Sequence, residues 1–396
     1  MQVKVNAGGD LGAGAGRLDS TTGAFFTVDY AFEYVDACGI DSVTPSSGQY
    51  KTAIDIAGSG LLGGGDSIDS ITLADVDVLS IASESDSLIQ VVADMSGAAT
   101  GDIIITANTG AVTTRVDGWG YVAVGAISGA SPNSGQVGTE VTIGGPGPMN
   151  GGKTIASVLL GGTEVCQIVS YYDAAVEVVV AAADASEDSD IVMYADTDAA
   201  ISQAGGWTYN EEGEISSVDP GNGQGGTLVQ IDGERLRGGG GAVVTVTLAG
   251  VEAELLTETD TKVEVQAAIG DAAAGHIVLT SDSGALVTLE NGWTYSEAGV
   301  VDSISPACGQ LNTKVTIFGS ALRGSGGEVV KVLLSGVEAT ILEEDDDSIV
   351  VRADSSAGAS GTVVRIESDS VAIIEDTGGS TDPKTLLQTF RLPTVN

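Results

Sequence analysis

The sequence predicts an all-β protein made of tandem β-sandwiches, and three observations support this fold class. A block of similar sequence begins four times, at Ile40, Ile127, Ile215 and Val301, so that successive starts lie 86 to 88 residues apart. This spacing is the length of one small sandwich. Apolar and polar residues alternate over short stretches, and no stretch has a sustained helical period. Glycine is abundant at 57 residues and proline scarce at 8, without the Gly-X-Y period of collagen.

The four blocks share landmarks at fixed offsets. In each, a proline follows the first residue by five positions, and a Gly-Gln pair then precedes a threonine that opens an alternating strand. We name the blocks repeat 1 (40–126), repeat 2 (127–214), repeat 3 (215–300) and repeat 4 (301–396, with a C-terminal tail). Residues 1–39 are predicted to form an incomplete N-terminal half repeat, so the chain holds four full repeats and one half repeat.

Repeat 3 shows the strand pattern most clearly. About seven short strands are predicted between turn signals, at 215–218, 227–232, 243–248, 251–256, 262–267, 276–280 and 285–295. Seven short strands with alternating apolar residues and glycine-rich turns are typical of an immunoglobulin-like sandwich.

The N-terminal segment matches only the second half of a repeat. Residues 23–40 align without a gap with residues 284–301 of repeat 3. A half sandwich leaves an apolar face and unpaired strand edges in water, which is unfavourable. We therefore expect another strand to complete it. The alternative is that the missing strands once preceded Met1.

Several motifs of repeat 3 carry a family resemblance. They are Ile-x-Ser-Val-x-Pro from Ile215, Thr-x-Val-x-Ile-x-Gly from Thr227, Val-x-Leu-x-Gly-Val-Glu-Ala from Val246, and Gly-Trp-Thr-Tyr from Gly292. This series resembles the IPT/TIG family of immunoglobulin-like domains, most clearly at 215–299 and 301–374. The resemblance implies the fold. It leaves function open, because such domains occur in cell-surface receptors, bacterial surface proteins, carbohydrate-active enzymes and transcription factors.

Two repeats depart from the family pattern. Repeat 2 has Gly144-Gly-Pro-Gly-Pro148 where its second strand ends, and repeat 4 lacks the Trp-x-Tyr motif and carries an insertion at 377–388 before Phe390.

Composition restricts the partners of the chain. The 55 acidic and 15 basic residues give a formal net charge of −40, which disfavours nucleic acid and anionic membranes as partners. No run of about 18 apolar residues is present to insert into a membrane, and the first residues lack the apolar segment of a signal peptide. Cys38, Cys166 and Cys308 are too few for a disulfide framework or a metal site, although a bond between subunits stays open.

No catalytic site is predicted. Gly58–Gly63 fits Gly-x-Gly-x-x-Gly, but similar glycine-rich loops recur between strands in the other repeats, whereas phosphate binding needs a following helix. These loops are interpreted as turns. His276 is the only histidine, and no Gly-x-Ser-x-Gly motif accompanies it, so it is expected on a strand surface. We expect no enzymatic activity.

Two sets of residues have competing interpretations. Acidic residues recur in one loop of each repeat, and in repeat 4 Glu343, Asp345, Asp346 and Asp347 are candidate Ca²⁺ ligands; the alternative is a solvated acidic loop. Trp119, Trp207 and Trp293 each precede a tyrosine by two residues. They favour core or inter-repeat packing over a sugar-binding platform. The abundant Ser and Thr residues would allow O-glycans to be attached.

The half repeat and the tail lead to a functional hypothesis. We expect Lys384–Asn396, or another strand of a neighbouring copy, to pair with the half repeat by strand addition. Such a contact is head-to-tail and gives a fibre unless a ring closes. The chain is then a structural subunit of an extracellular filament or surface appendage, with itself as partner. The residues predicted at this joint are Val3, Val5, Phe25, Val28, Phe32, Tyr34, Leu386, Leu387, Phe390 and Leu392.

The alternative function belongs to another class. A monomeric stalk, adhesin or receptor ectodomain would bind glycan or protein through the loops at the sandwich ends. Self-association distinguishes the two hypotheses, and both place the chain outside the cell or on its surface.

Overall fold

A computed structural model describes residues 13–19, 25–33, 36–355 and 363–376 of the chain. All regular elements in these ranges are β-strands, and no helix there is long and apolar enough to cross a membrane. The described residues divide into two compact units. One holds those up to Asn133, with Val141–Val178 and Glu187–Trp207; the other holds Ser134–Glu140, Val179–Ser186 and those from Thr208 onward.

The half repeat contributes one hairpin to the first unit. Strands β1 (Ala13–Asp19) and β2 (Phe25–Glu33) pair antiparallel, with a register shift between Gly14 and Gly16. Of the predicted joint residues, Phe25, Val28 and Phe32 lie on β2. The others, Val3, Val5, Tyr34, Leu386, Leu387, Phe390 and Leu392, lie outside the described residues.

Repeat 1 forms two sheets in the same unit. The orders are β3-β5-β9-β8 and β4-β11-β10-β6-β7. Alternating Ile and Val side chains of both sheets, together with Trp119, make one buried core. The strands are β3 (Gly39–Thr44), β4 (Ser47–Gly48), β5 (Ala53–Ser59), β6 (Ile68–Leu73), β7 (Val76–Asp77), β8 (Ser80–Glu84), β9 (Leu88–Val92), β10 (Ala99–Ala107) and β11 (Val112–Tyr121).

Repeat 2 has the same strand sequence. Its sheets have the orders β12-β14-β18-β17 and β13-β20-β19-β15-β16. The strands are β12 (Gly129–Ser131), β13 (Ser134–Gly135), β14 (Glu140–Gly144), β15 (Ile155–Leu160), β16 (Thr163–Glu164), β17 (Gln167–Tyr172), β18 (Ala175–Val179), β19 (Ser186–Ala195) and β20 (Ala200–Tyr209).

Repeat 3 lies in the second unit and repeats the two-sheet arrangement, with orders β21-β23-β27-β26 and β22-β29-β28-β24-β25. The seven predicted strands are all present; the predicted 251–256 strand is divided between β25 and β26, which pair with different sheets. The strands are β21 (Glu214–Asp219), β22 (Asn222–Gly223), β23 (Leu228–Glu234), β24 (Val243–Leu248), β25 (Val251–Glu252), β26 (Glu254–Glu258), β27 (Lys262–Gln266), β28 (Ala273–Ser281) and β29 (Leu286–Tyr295).

Repeat 4 differs because its sheets are joined. One long strand, β33, pairs with both β32 and β34, so the seven strands form one sheet of order β30-β31-β34-β33-β32-β35-β36. The strands are β30 (Val300–Ser305), β31 (Lys314–Ser320), β32 (Val329–Leu334), β33 (Val337–Glu344), β34 (Ser348–Arg352), β35 (Val364–Ser368) and β36 (Ile373–Asp376).

The fold class is confirmed: the described chain is all-β, with tandem immunoglobulin-like sheets. The repeat boundaries given above stay predictions. The peptide bonds before the four landmark prolines, Pro45, Pro132, Pro220 and Pro306, are cis.

Candidate functional site: the joints between repeats

Successive repeats contact each other through two recurrent surfaces. The first is the hairpin turn between the last two strands of a repeat, at 107–112, 195–200, 281–286 and 368–373 in repeats 1 to 4. The second, which we call the strand-start face, holds the Gly-Gln landmark and the first residue of the following strand. It comprises residues 48–53, 135–140, 223–228 and 309–314. A joint forms where the hairpin turn of one repeat lies on the strand-start face of the repeat before it.

The joint between repeats 2 and 3 shows the arrangement. The backbone N–H of Glu140 donates to the carbonyl oxygen of Ser283 at 2.9 Å, and the N–H of Leu286 donates to that of Val137 at 2.9 Å. These two bonds join the repeats as adjacent strands are joined in a sheet.

The other two joints use equivalent positions. Between repeats 1 and 2 the N–H of Ala53 donates to the Thr197 carbonyl at 2.9 Å, and the N–H of Ala200 donates to the Tyr50 carbonyl at 3.0 Å. Between repeats 3 and 4 the N–H of Leu228 donates to the Ser370 carbonyl at 3.3 Å. The backbone contact is therefore a recurrent property of the array.

The landmark glutamine completes the joint between repeats 2 and 3. Gln136 is 1% exposed. Its Nε2 donates to the Leu286 carbonyl oxygen at 2.7 Å, and its Oε1 accepts from the N–H of Gly213 at 2.9 Å. In repeat 3, Oε1 of Gln224 accepts from the N–H of Gly299, two residues before repeat 4 begins, at 2.9 Å. A buried amide needs such partners, and the bond from Gln136 to Leu286 binds repeat 2 to repeat 3.

A glycine makes room for each of these amides. A Cβ atom added at Gly238 would lie 3.2 Å from Nε2 of Gln136, and one added at Gly324 would lie 2.6 Å from Nε2 of Gln224. Both glycines have φ near +56°, in the left-handed region that favours glycine. This close approach explains why a glycine-rich loop recurs here, and the structure shows these loops as turns between strands.

In the joint between repeats 1 and 2, the glutamine amide and the glycine N–H have different hydrogen-bond partners. Gln49 is buried, but its amide donates to the carbonyls of Ser96 and Val122, at 2.7 and 2.9 Å. In place of a glutamine, Oδ1 of Asn150 accepts from the N–H of Gly125 at 2.9 Å. Asn150 lies two residues after the glycine- and proline-rich segment by which repeat 2 departs from the family pattern, and it supplies an alternative partner.

The tryptophans lie in the cores. Trp119 and Trp293 are fully buried, and each makes an edge-to-face contact with its tyrosine, at 5.7 Å for Tyr121 and 5.6 Å for Tyr295. Burial raises the pKa of Tyr295 to about 12, and burial together with Asp94 does the same for Tyr121. Trp207 is also buried. Buried rings cannot act as an exposed sugar platform, and the packing interpretation is the one that the structure supports.

The recurrent acidic loop has a structural role in repeats 1, 3 and 4. Its aspartate accepts a backbone N–H of the glycine-rich loop: Asp86 from Leu62 at 3.1 Å, Asp260 from Arg237 at 3.1 Å, and Asp346 from Arg323 at 3.0 Å. These bonds hold the two loops together at one end of the sandwich.

Two arginines strengthen the same contact. Arg237 forms a bidentate pair with Glu258 at 2.8 and 2.9 Å, and Arg323 an equivalent pair with Glu344 at 2.8 and 3.0 Å. The hydrogen bond from Arg237 lowers the pKa of Glu258. In fork-to-fork geometry both partners are oriented as well as attracted.

The candidate calcium ligands take part in this loop. Oδ1 of Asp345 accepts from the backbone N–H groups of Asp347 and Ser348, which lowers the pKa of Asp345. Within the ranges that the structure describes, no three or more acidic, His or Cys side chains are grouped to hold a metal ion.

The remaining candidates lie apart from the joints or on surfaces. His276 is exposed on β28, where Nδ1 accepts from the N–H of Asn291 at 3.2 Å. The three cysteines are unbridged, with Cys166 and Cys308 exposed and Cys38 partly exposed.

The described geometry defines a class of protein, an all-β chain whose immunoglobulin-like repeats are joined by backbone hydrogen bonds. Residues 300–385, in repeat 4, match the model of the IPT/TIG domain, which agrees with the resemblance that the motifs carry. No curated protein matches the chain.

Solved structures give distant similarities. The full extracellular region of plexin A4 has 15% identity and a TM-score of 0.41, covering 90% of this chain and 32% of that one. A second plexin A4 structure is covered to 47%, so this chain spans about a third to a half of the plexin chains. A Bacteroides ovatus SGBP-B, solved with a mixed-linkage heptasaccharide, has 12% identity and a TM-score of 0.18, covering 81% of this chain and 88% of that one. Similarity at this level does not identify a ligand for this chain.

Proposed function

We propose that this protein is a structural subunit of an extracellular filament or surface appendage in which copies join head-to-tail. The observation that carries the proposal is the construction of the joints. Adjacent repeats are bound by backbone hydrogen bonds between strand edges and, at the joint between repeats 2 and 3, by the side chain of a buried glutamine. A chain that orders its own repeats in this manner is suited to a structural role.

Strand addition at the half repeat is the proposed polymer contact. The hairpin of β1 and β2 has two strands, and a two-stranded sheet is marginally stable alone in water. A strand of Lys384–Asn396 from a neighbouring copy would add backbone pairing and the apolar side chains of Leu386, Leu387 and Phe390. No reaction is assigned to the chain.

The net charge predicts how assembly depends on salt. Copies that carry a formal charge of −40 repel each other, and salt screens that repulsion over about 10 Å at 0.1 M ionic strength. Assembly should therefore increase with ionic strength.

The test is negative-stain electron microscopy with light scattering over a range of protein and salt concentrations. Long uniform fibres that disappear on deletion of Lys384–Asn396 would support the proposal. Fibres from the truncated chain would exclude the tail as the joint. Monomers under all conditions would exclude the filament and favour a stalk or adhesin, to be followed by glycan and protein binding screens.

A further inference from the structure

Among the described residues, the strand-start face of repeat 4 is exposed, unlike its three counterparts. Gln49, Gln136 and Gln224 are at most 5% exposed, whereas Gln310 is exposed and Leu311 is 53% exposed. The residues that the structure describes include no hairpin turn that hydrogen-bonds to this face.

The hairpin turn of repeat 1 is likewise exposed in the part of the chain that the structure describes. Val112 is 59% exposed, whereas Ala200 at the equivalent position of repeat 2 is 8% exposed. Thr109 and Gly110 are also exposed. Nearby, Gly63 has φ +57° and occupies the position at which Gly238 receives a glutamine from the preceding repeat.

We propose that the strand-start face of repeat 4 binds the hairpin turn of repeat 1 in a second copy of this chain. The internal joints define the contact: the N–H of Lys314 would donate to the Thr109 carbonyl, and the N–H of Val112 to the Leu311 carbonyl. The amide of Gln310 would lie against Gly63. This inference rests on the proposed head-to-tail assembly and gives it a contact distinct from strand addition at the half repeat.

The half repeat does not offer a competing face of this kind. A strand-start face is built from the first strands of a repeat, whereas β1 and β2 align with the last two strands. The described residues ahead of repeat 1 therefore give its hairpin turn no such partner, and a second copy can provide one.

Cysteine pairing tests the contact on the full chain. In the joint between repeats 2 and 3, a Cβ at Gly138 would lie 2.6 Å from Cγ of Leu286, and the equivalent residues are Asn312 and Val112. With Cys38, Cys166 and Cys308 replaced by Ser, Val112→Cys is mixed with Asn312→Cys under mild oxidation. The control mixture pairs Val112→Cys with Val244→Cys, which is 52% exposed outside the joints. We expect covalent dimer in the first mixture, about tenfold above the control.

A second variant avoids any dependence on new cysteines. Gln310→Ala changes an exposed side chain and should leave the melting temperature unchanged while weakening association about tenfold; Val244→Ala is the control. Equal cross-linking in both mixtures, or unchanged association of Gln310→Ala, would overturn the inference.

The outcomes separate this contact from the filament. Fibres without the specific cross-link would leave the filament standing and overturn this contact. Specific dimers without fibres would establish the contact and exclude the filament. Neither fibres nor cross-link would exclude both.

Discussion

Repeats 3 and 4 share their loop chemistry but differ in their cores and end faces. Both hold the glycine-rich loop with a bidentate Arg-Glu pair of nearly equal geometry. Repeat 3 has Trp293 and Tyr295 in its core, whereas repeat 4 contains neither residue type. The glutamine of repeat 3 is buried against the next repeat, and that of repeat 4 is exposed. The loop contact thus belongs to each sandwich by itself, while burial of the glutamine depends on a following repeat.

The aromatic core of repeat 3 gives the largest predicted effect. Trp293→Ala would remove a fully buried ring that packs against Tyr295 and leave a cavity. We expect a loss of about 3–5 kcal/mol in the free energy of unfolding of repeat 3, measured by denaturant titration. Phe318→Ala in repeat 4 removes a ring that is 45% exposed and should cost within about 0.5 kcal/mol. Equal losses would show that the two repeats do not differ in this way.

The two glutamines give the next effect. Gln224→Ala removes the acceptor of the Gly299 N–H beside the joint with repeat 4, and an unsatisfied buried donor costs about 1–3 kcal/mol. The same change at the exposed Gln310 should cost within about 0.5 kcal/mol in the isolated chain. Denaturant midpoints of the two variants, measured at a concentration where the chain is monomeric, provide the comparison. A Gln310→Ala loss as large as that of Gln224→Ala would contradict the role given to the following repeat.

The strands and the core tryptophans could be predicted from the sequence because both depend on local pattern. The alternation of apolar and polar residues predicted the strand at 243–248 that the structure contains. A Trp and a Tyr two residues apart on one strand point their side chains to the same face. The Gly-Gln landmark was visible, but its role was not, since the amide binds Gly213 77 residues away in sequence. The acidic loop was likewise visible, while its partner Arg237 lies 21 residues before Glu258. Contacts between distant segments require the fold.

The buried tyrosine predicts a difference at high pH. The ordinary pKa of tyrosine is about 10, and burial raises that of Tyr295 to about 12. A raised pKa in the folded state contributes stability that is complete below the unfolded value and is lost as pH rises through the folded value. Wild type should therefore lose stability relative to Tyr295→Phe between about pH 10 and 12. A difference between the two unfolding free energies that stays constant over this range would contradict the prediction; repeat 4 has no tyrosine to contribute.

Repeats 3 and 4 share the Arg-Glu pair, which gives the smallest predicted effect. For Glu258 the pH dependence is opposite to that of Tyr295. The hydrogen bond from Arg237 lowers the pKa of Glu258, with a further contribution from the N–H of Val243. Its stabilisation is present above the ordinary glutamate pKa of about 4.3 and is lost as pH falls through the lowered value. Glu258→Gln should therefore be less stable than wild type at neutral pH, and the difference should vanish in acid. Because the geometry of Glu344 with Arg323 is nearly the same, Glu344→Gln should lose a similar amount at neutral pH, measured by thermal melts. A much larger loss in one repeat would show that the loop contact depends on neighbouring repeats after all.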